Sequence, residues 1–295
     1  RTHVYPKFIL DNSVKNATSC KTINKELQLE GCYGGIPFPI PKTGNEAMWN
    51  HAVRWVAPNF GGKFMAVAVA PDGSWTNQGQ NEVWYTSVFF DPKRTGPAPT
   101  DTDILRLRFD AYGPARKIGE KYLFISSLDS LNKATRVWTY IPGQRRVKLA
   151  PDLAYDTPSP VEGGVATMDE QYGFFGALDR YDFKLVGKKE TFIAYNMFKA
   201  TNRELCATPK FVRKNFPNPD CVRYELHRTW VVNATLKPGF RHIYHKRTLY
   251  WDEDNWGVGS AETYDAAGKL YRVGDVSTAP MLDPDYVGDF WSQPG

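Results

Sequence analysis

The sequence predicts a mainly β fold with a few helices (α+β), in which one large antiparallel sheet is strongly curved or nearly closed. Three observations support this class. Segments that alternate large apolar residues with small or polar ones recur along most of the chain. Short turn signals such as Pro71-Asp72-Gly73 and Pro142-Gly143 separate them, as in antiparallel hairpins. No repeat of about 20–50 residues is evident, so we expect neither a propeller nor a solenoid.

Composition excludes several classes of protein. The 295 residues are 42% hydrophobic and 23% charged, which suits a sizeable core and not a disordered chain. The net charge of +5 is spread without runs of like charge, so it indicates a mildly basic surface and no nucleic-acid partner. No stretch approaches the roughly 18 apolar residues of a membrane helix, and we expect a soluble chain.

The N-terminal part should consist of an extended lead-in followed by one helix. Residues 1–43 are expected to be irregular with short strands, because alternating prolines near their end remove ladder donors. Apolar residues at helical spacing then predict an amphipathic helix over 45–56, capped by Asn45 and stopped by Pro58.

The rest of the chain should be mostly strands. The hairpin of 136–141 and 144–149 leads into a crossing loop over 152–167 and a short helix over 169–178. The remaining predicted strands are 64–77 and 81–92 as one hairpin, 104–112, 121–129, a strand pair over 181–196 that turns near Lys188, and four strands over 225–236, 242–254, 256–268 and 269–276.

The four cysteines form two local pairs. Cys20 with Cys32, and Cys206 with Cys221, lie in turn-rich polar sequence without the CxxC spacing of a zinc site. We therefore expect two short-range disulfides, each stabilising by roughly 3 kcal/mol, although four reduced core residues are the alternative. Disulfides imply an oxidising compartment. The loop 206–221 would then be a surface flap.

Polar motifs give little support for chemistry. The histidines His227, His242 and His245 are poorly placed for one metal, because residues three apart on a strand face opposite sides. The acidic run 251–256 fits a hairpin turn better than a calcium loop. Burial could raise the pKa of a carboxylate among four candidates, although surface ion pairs are equally possible. The four are Asp169, Glu170, Asp179 and Asp182.

Aromatic residues give the stronger signal. The chain has 9 Trp, 16 Tyr and 17 Phe, many of them on predicted strands. Most such rings would fill the core, but a curved sheet whose concave face is partly filled leaves an apolar cavity that can hold a hydrophobic molecule. The predicted ligand-binding residues are Trp49, Trp55, Trp84, Trp138, Tyr140, Phe174, Phe175, Tyr195, Trp230 and Tyr250.

Four regions resemble a bacterial family of unknown function, number 1329, which is similar to outer-membrane lipoprotein-sorting proteins. They are 31–51, 136–151, 169–190, and 247–256 with 262–272. The resemblance implies one domain over 1–295 with the open half-barrel of LolA and LolB, helices on its concave side, and an apolar cavity for acyl chains. The usual N-terminal portion with its signal peptide would be absent from this sequence, and the cysteine pairs depart from the family pattern.

The resemblance also implies a location and partners. Family members are similar to periplasmic partners of inner-membrane transporters of the resistance-nodulation-division type and of outer-membrane proteins, in Gram-negative bacteria. The expected function is therefore a non-enzymatic carrier of a lipid or other hydrophobic molecule, without cofactor or metal. The alternatives are a structural adaptor of an envelope complex and a hydrolase or isomerase that acts on a hydrophobic compound.

Overall fold

The computed structural model describes residues 4–283 and 286–292, with side chains through residue 279. Within them, the helices are α1 (Lys7–Ser19), α2 (Gly44–Ala52), α3 (Phe198–Thr201) and α4 (Thr208–Phe211). The strands are β1 (Lys21–Ile23), β2 (Gln28–Glu30), β3 (Asn59–Val69), β4 (Trp75–Ser87), β5 (Asp103–Gly113), β6 (Lys121–Ser127), β7 (Arg136–Ile141), β8 (Arg146–Leu149), β9 (Tyr181–Ala194), β10 (Tyr224–Leu236), β11 (Lys246–Asp252), β12 (Gly259–Tyr264), β13 (Leu270–Asp283) and β14 (Tyr286–Ser292). No helix in this part of the chain is long and apolar enough to cross a membrane.

The strands form two six-stranded antiparallel meanders, in which each strand pairs with its neighbours in sequence. The N-terminal sheet has the order β3-β4-β5-β6-β7-β8, and the C-terminal sheet has the order β14-β13-β12-β11-β10-β9. A separate hairpin joins β1 and β2. The antiparallel arrangement agrees with the prediction, but the single large sheet is divided in two, because the connection 150–180 lies between β8 and β9 without joining either ladder.

The C-terminal sheet curls strongly. The hydroxyl of Tyr224 on β10 donates to Asp275 on β13 at 3.3 Å, although two strands lie between them in the sheet. The backbone N–H of Met197, just after β9, donates to the carbonyl of Thr278 on β13 at 2.8 Å. These contacts bring opposite sides of one sheet together, which requires much more than the ordinary twist of flat sheets.

Helix α1 corrects the prediction for the lead-in, which was expected to be irregular. Its buried residues are Ile9, Ser13 and Asn16. The side chain of Asn16 forms hydrogen bonds with the backbone of Tyr33 and Ile36, and these fix the segment that follows β2. The helix was missed because two of its three buried positions are polar, so the apolar period that reveals an amphipathic helix is absent. The Pro-rich end of the lead-in does lack helix and strand, as expected.

Helix α2 confirms the helix predicted over 45–56, although it ends at Ala52 and its cap differs from the expected Asn45. The side chain of Thr43 accepts a hydrogen bond from the backbone N–H of Glu46 at 3.1 Å, and Glu46 in turn accepts from the backbone of Lys42. This reciprocal arrangement is close to a capping box. It sets the start of the helix that carries Trp49 into the core.

We expect Thr43→Ala to lower the free energy of unfolding by about 1 kcal/mol, because it leaves an N-terminal N–H of α2 without its acceptor. Urea titration followed by tryptophan fluorescence measures this change. Thr43→Ser keeps the hydroxyl and is the matched control. Equal losses in the two variants would show that the hydroxyl does not carry the effect.

Strand β9 also corrects the prediction, which placed a strand pair over 181–196 with a turn near Lys188. The segment is one strand of 14 residues, paired with β10 along its length. Gly187, next to the expected turn at Lys188, has φ +132° and pairs with Val231 at the register shift between Val231 and Val232. A β-bulge therefore uses the conformational freedom of the glycine, and the chain continues in the same direction.

Both predicted disulfides are present. Cys20 is bonded to Cys32, and Cys206 is bonded to Cys221. The first joins the end of α1 to the segment after β2. The second closes the loop that contains α4 and that exposes Phe216.

Aromatic rings fill the space on which the sheets and α2 converge. One continuous core cluster includes Leu107 and Phe124 of the N-terminal sheet and Val232 and Leu249 of the C-terminal sheet. The largest side chains within it that are almost wholly buried are Trp49, Trp55, Trp251 and Trp256. The concave side therefore carries a packed core, with residual space at its margin.

Candidate functional site

Two adjoining clefts lie on either side of a short extended stretch, residues 174–178, which we call the plug segment. The larger has a volume of about 490 Å³, counted with the space that opens to solvent, and the smaller about 360 Å³. Both are lined by Phe175, Gly176 and Ala177. The two clefts therefore share part of their lining.

The larger cleft has an apolar and a polar set of lining residues. The apolar residues come from α2, β5 and the plug segment, and the polar ones from the end of β6, the loop after it, and Arg54 beyond α2. The apolar residues are Trp49, Ala52, Ile104, Phe174, Phe175, Ala177 and Leu178. The polar residues are Arg54, Ser126, Ser127, Ser130, Lys133 and Thr135.

The plug segment follows a turn of 3₁₀ helix over Met168–Gly173, where the sequence predicted a helix through 178. The helix stops early because Tyr172 and Gly173 adopt positive φ values of 55° and 78°. A Cβ on Gly173 would lie 2.9 Å from the ring of Trp251, so only glycine fits this approach. The chain then becomes extended and places Phe174 and Phe175 against the core.

His51 of α2 contacts the plug segment through its ring. Its Nε2 lies 2.9 Å from the carbonyl oxygen of Phe174, and its Nδ1 lies 2.8 Å from that of Trp256. The ring stacks on Trp251 with centroids 3.6 Å apart. Burial, aided by the nearby charge of Arg54, lowers the pKa of His51 to about 3, against the two carbonyl contacts that raise it. The ring is therefore neutral at pH 7 and donates to one carbonyl at a time.

A buried ion pair anchors the turn before the plug segment. Nη2 of Arg247, on β11, lies 2.6 Å from Oδ2 of Asp169, and both side chains are almost fully buried. His242 adds a hydrogen bond to the same oxygen at 3.0 Å. Nδ1 of His242 accepts from the backbone N–H of Tyr244, so Nε2 carries the proton and donates. The backbone N–H of Phe175 donates to the carbonyl of Asp169 at 2.9 Å, which couples this cluster to the plug segment.

Three of the four candidate carboxylates have partners that suit structure better than acid–base chemistry, and the fourth is exposed. Burial alone would raise the pKa of Asp169, but Arg247 and His242 outweigh it and hold that pKa below its usual range. The expectation of a raised pKa is thus wrong for this residue. Glu170 pairs with Arg272 at 2.8 Å, Asp179 accepts from Tyr155 at 2.8 Å, and Asp182 is exposed.

The structure brings together three of the ten predicted ligand-binding residues. Trp49, Phe174 and Phe175 are buried and line the larger cleft. Trp55 and Tyr195 are buried elsewhere in the core, and Trp84 is 50% exposed on β4. The others are half-buried on their strands and line neither cleft: Trp138, Tyr140, Trp230 and Tyr250. Contact of any of the ten with a ligand stays a prediction.

The histidines and the acidic run do not form a metal centre. His242 is buried with Asp169 while His245 is exposed, and both precede β11 rather than lie on it. Glu253 of the acidic run pairs with Lys188 and Arg228. Throughout 4–283 and 286–292, no group of three or more His, Cys, Asp or Glu residues is placed to hold a metal ion.

A second polar cluster surrounds His227 on β10. Its Nδ1 lies 3.1 Å from Asp252 and its Nε2 lies 3.5 Å from Glu225, while its ring stacks on Tyr195. The hydrogen bond with Asp252 raises the pKa of His227 against the opposing effect of burial. Sequence analysis missed this cluster because its members come from three segments. The i, i+2 spacing of Glu225 and His227 on one strand was the available signal.

Comparison with known sequences gives a family match and a longer relative. A family model described as a protein of unknown function (DUF1329) matches residues 1–294. An uncharacterised protein of Pseudomonas aeruginosa is 34% identical over 286 residues, which cover 96% of this chain and 62% of that protein. The chain thus spans less than two thirds of the length of this relative.

Comparison with solved structures identifies the fold. A domain from Vibrio parahaemolyticus, provisionally assigned to outer membrane lipoprotein sorting, has a TM-score of 0.50 and 13% identity over 84% of this chain and 81% of that one. A DUF1329 family protein from Desulfovibrio piger has a TM-score of 0.46 and 16% identity over 78% of this chain and 75% of that one. The first of these, with the sheet order above, confirms the predicted class of open, curved antiparallel sheets with few helices.

Proposed function

Since the chain belongs to the DUF1329 family and has the fold of a lipoprotein-sorting domain, we propose that it is a non-enzymatic carrier of a lipid or other hydrophobic molecule. The carrier would work in the periplasm of a Gram-negative bacterium and pass its ligand between envelope components. An inner-membrane transporter of the resistance-nodulation-division type and an outer-membrane protein are the proposed partners. The two disulfides support an oxidising compartment.

The observation that carries this proposal is the plug segment between two clefts. Phe174 and Phe175 occupy the apolar end of the larger cleft, where an acyl chain would otherwise lie. Their rings are more than 90% buried, so their displacement by a ligand exchanges one apolar contact for another. Each buried CH₂ of a chain stabilises by about 0.8 kcal/mol, so a chain of about ten carbons can offset the cost of moving two rings.

The plug segment has few strong anchors of its own. Among the described residues, the backbone N–H groups of Phe174 and Phe175 donate to the carbonyl oxygen of Asp169, and the ring of His51 approaches the carbonyl oxygen of Phe174. The preceding turn, in contrast, is fixed by the buried pair of Asp169 and Arg247. We propose that ligand entry moves residues 174–178 while the turn at 168–173 stays in place.

Blocking the larger cleft tests the carrier function. Ala52→Trp adds a large ring to the apolar lining and should weaken the binding of an anthroyloxy-labelled stearate at least about tenfold, a loss of about 1.4 kcal/mol. Ala266→Trp, in the exposed turn between β12 and β13, is the matched control and should bind as the unchanged chain does. Fluorescence titration gives both affinities, and thermal unfolding checks that both variants fold.

Protein purified from its own envelope gives an independent test. Native mass spectrometry and organic extraction should recover a bound lipid. Absence of extracted lipid together with no stearate binding would exclude the carrier function.

A structural adaptor is the second candidate, because the interior is largely filled and some apolar side chains point outward. Ile40 in the Pro-rich segment is 78% exposed, and Phe216 in the disulfide-closed loop is 60% exposed. Such residues suit docking onto another envelope protein. The adaptor predicts no ligand binding in either titration, whereas the carrier predicts binding that Ala52→Trp weakens.

A further inference from the structure

The lining of the larger cleft includes two basic side chains. Arg54 and Lys133 both line it, and among the described lining residues none is Asp or Glu. Arg54 is only 7% exposed, donates from Nη1 to the carbonyl of His51 at 2.9 Å, and lies over the ring of Tyr172 at 4.7 Å. A guanidinium stays charged at neutral pH even when it is buried. The cleft therefore offers a positive, partly dehydrated environment beside an apolar one.

Lys133 stands at the exposed side of the same cleft. Its Nζ lies 2.9 Å from Asp101, whose side chain is 66% exposed, while that of Lys133 is 40% exposed. Exposed pairs of this kind contribute at most about 1 kcal/mol. The ammonium group of Lys133 can thus leave Asp101 and pair with an anion in the cleft with little loss of free energy.

The lining of the cleft also includes the hydroxyl group of Ser126, which can donate a hydrogen bond. Its hydroxyl oxygen is buried and makes no hydrogen bond there. The neighbouring hydroxyls are already engaged, because Ser127 donates to Thr102 and Ser130 donates to Leu27. A buried hydroxyl without a partner costs free energy, and a ligand oxygen in the cleft would remove that cost.

From these side chains we infer that the cleft binds a single-chain amphiphile with an anionic head, a carboxylate or a phosphate. The head lies toward Arg54, Ser126 and Lys133, and the chain follows the apolar residues and displaces Phe174 and Phe175. The inference rests on the proposed carrier function and adds to it the charge of the ligand. Arg54 and Lys133 attract the anion, and Ser126 donates to one of its oxygens.

Three probes with the same sixteen-carbon chain separate the head from the tail: palmitate, hexadecyl phosphate and hexadecanol. Isothermal titration at pH 8 should show that at least one anionic probe binds about tenfold or more tightly than the neutral alcohol, as expected for a hydrogen bond to a charged group. The preferred anion distinguishes a carboxylate site from a phosphate site. Tighter or equal binding of hexadecanol would overturn the inference and leave the carrier function intact.

Substitutions locate the head group. Lys133→Gln and Ser126→Ala should each weaken the binding of the preferred anion about threefold to tenfold. Each should leave the affinity for hexadecanol within about twofold of that of the unchanged chain. Lys148→Gln, on the exposed strand β8, is the matched control for loss of one positive charge. It should change neither the affinity for the anion nor that for hexadecanol. If Lys148→Gln weakens binding of the anion as much as Lys133→Gln does, the loss comes from the net charge of the protein and the inferred site is wrong. If no probe binds, the carrier function fails and the inference fails with it.

Discussion

Asp169→Asn is expected to lower the free energy of unfolding by about 3–5 kcal/mol, the range for removing one partner of a buried ion pair. The side chains of Arg247 and Asp169 are 0% and 3% exposed, so neither can be compensated by water. Loss of the carboxylate leaves the charge of Arg247 buried without its counter-ion. Urea unfolding followed by circular dichroism measures the change.

Two further variants separate the buried pair from general effects of charge. Asp11→Asn breaks the exposed pair with Lys7 and should cost no more than about 0.5 kcal/mol. If Asp169→Asn is too unstable to purify, the double variant Asp169→Leu with Arg247→Met should recover much of the stability, because it removes both buried charges. A double variant no more stable than Asp169→Asn would show that the charge left on Arg247 is not the cause.

Stability should also fall below pH 6.5 because of His51. The pKa of His51 is about 3 in the folded state, against about 6.5 in an unfolded chain. The unfolded state therefore binds the extra proton first, and the stability that His51 provides is present above pH 6.5 and lost as the pH falls toward 3. Each pH unit costs about 1.4 kcal/mol, or about 2 kcal/mol between pH 6.5 and 5.

Urea unfolding at several pH values, compared between the unchanged chain and His51→Gln, isolates this contribution. His51→Gln should flatten the curve between pH 5 and 6.5. His227→Gln is the matched control, because the contribution of His227 to stability changes with pH in the opposite direction. Because the pKa of His227 is raised, its contribution is complete below about pH 6.5 and lost as the pH rises through the folded-state pKa. A His51 ring that titrates near pH 6.5 by NMR would contradict the prediction.

Local patterns predicted the strands that show alternation and turn signals and the helix that shows apolar spacing. The strands β3 to β8 and β10 to β13 and the helix α2 follow such patterns, and so do the disulfides, because each pair is close in sequence. Helix α1 was missed because Ser13 and Asn16 are buried for their hydrogen bonds. The predicted turn near Lys188 was wrong because β9 continues through a β-bulge at this point.

The candidate site was predictable in part. Phe174 and Phe175 were among the ten predicted ligand-binding residues, and they do line the cleft. Sequence analysis did not identify Arg54, Ser126 and Lys133, because they belong to different elements and share no motif. The same holds for Asp169 and Arg247, which are 78 residues apart and meet only through the curvature of the sheets. Contacts of this kind depend on tertiary geometry, which local spacing does not encode.

The short strand β8 has a consequence for self-association. It forms one edge of the N-terminal sheet, with only four residues, all of them exposed. Arg146 and Lys148 alternate along it with Val147 and Leu149. A second molecule that added a strand there would gain few ladder bonds and would meet two like charges from its own copy of β8. This edge is therefore a poor template for aggregation, which suits a chain that exposes several apolar side chains on its surface.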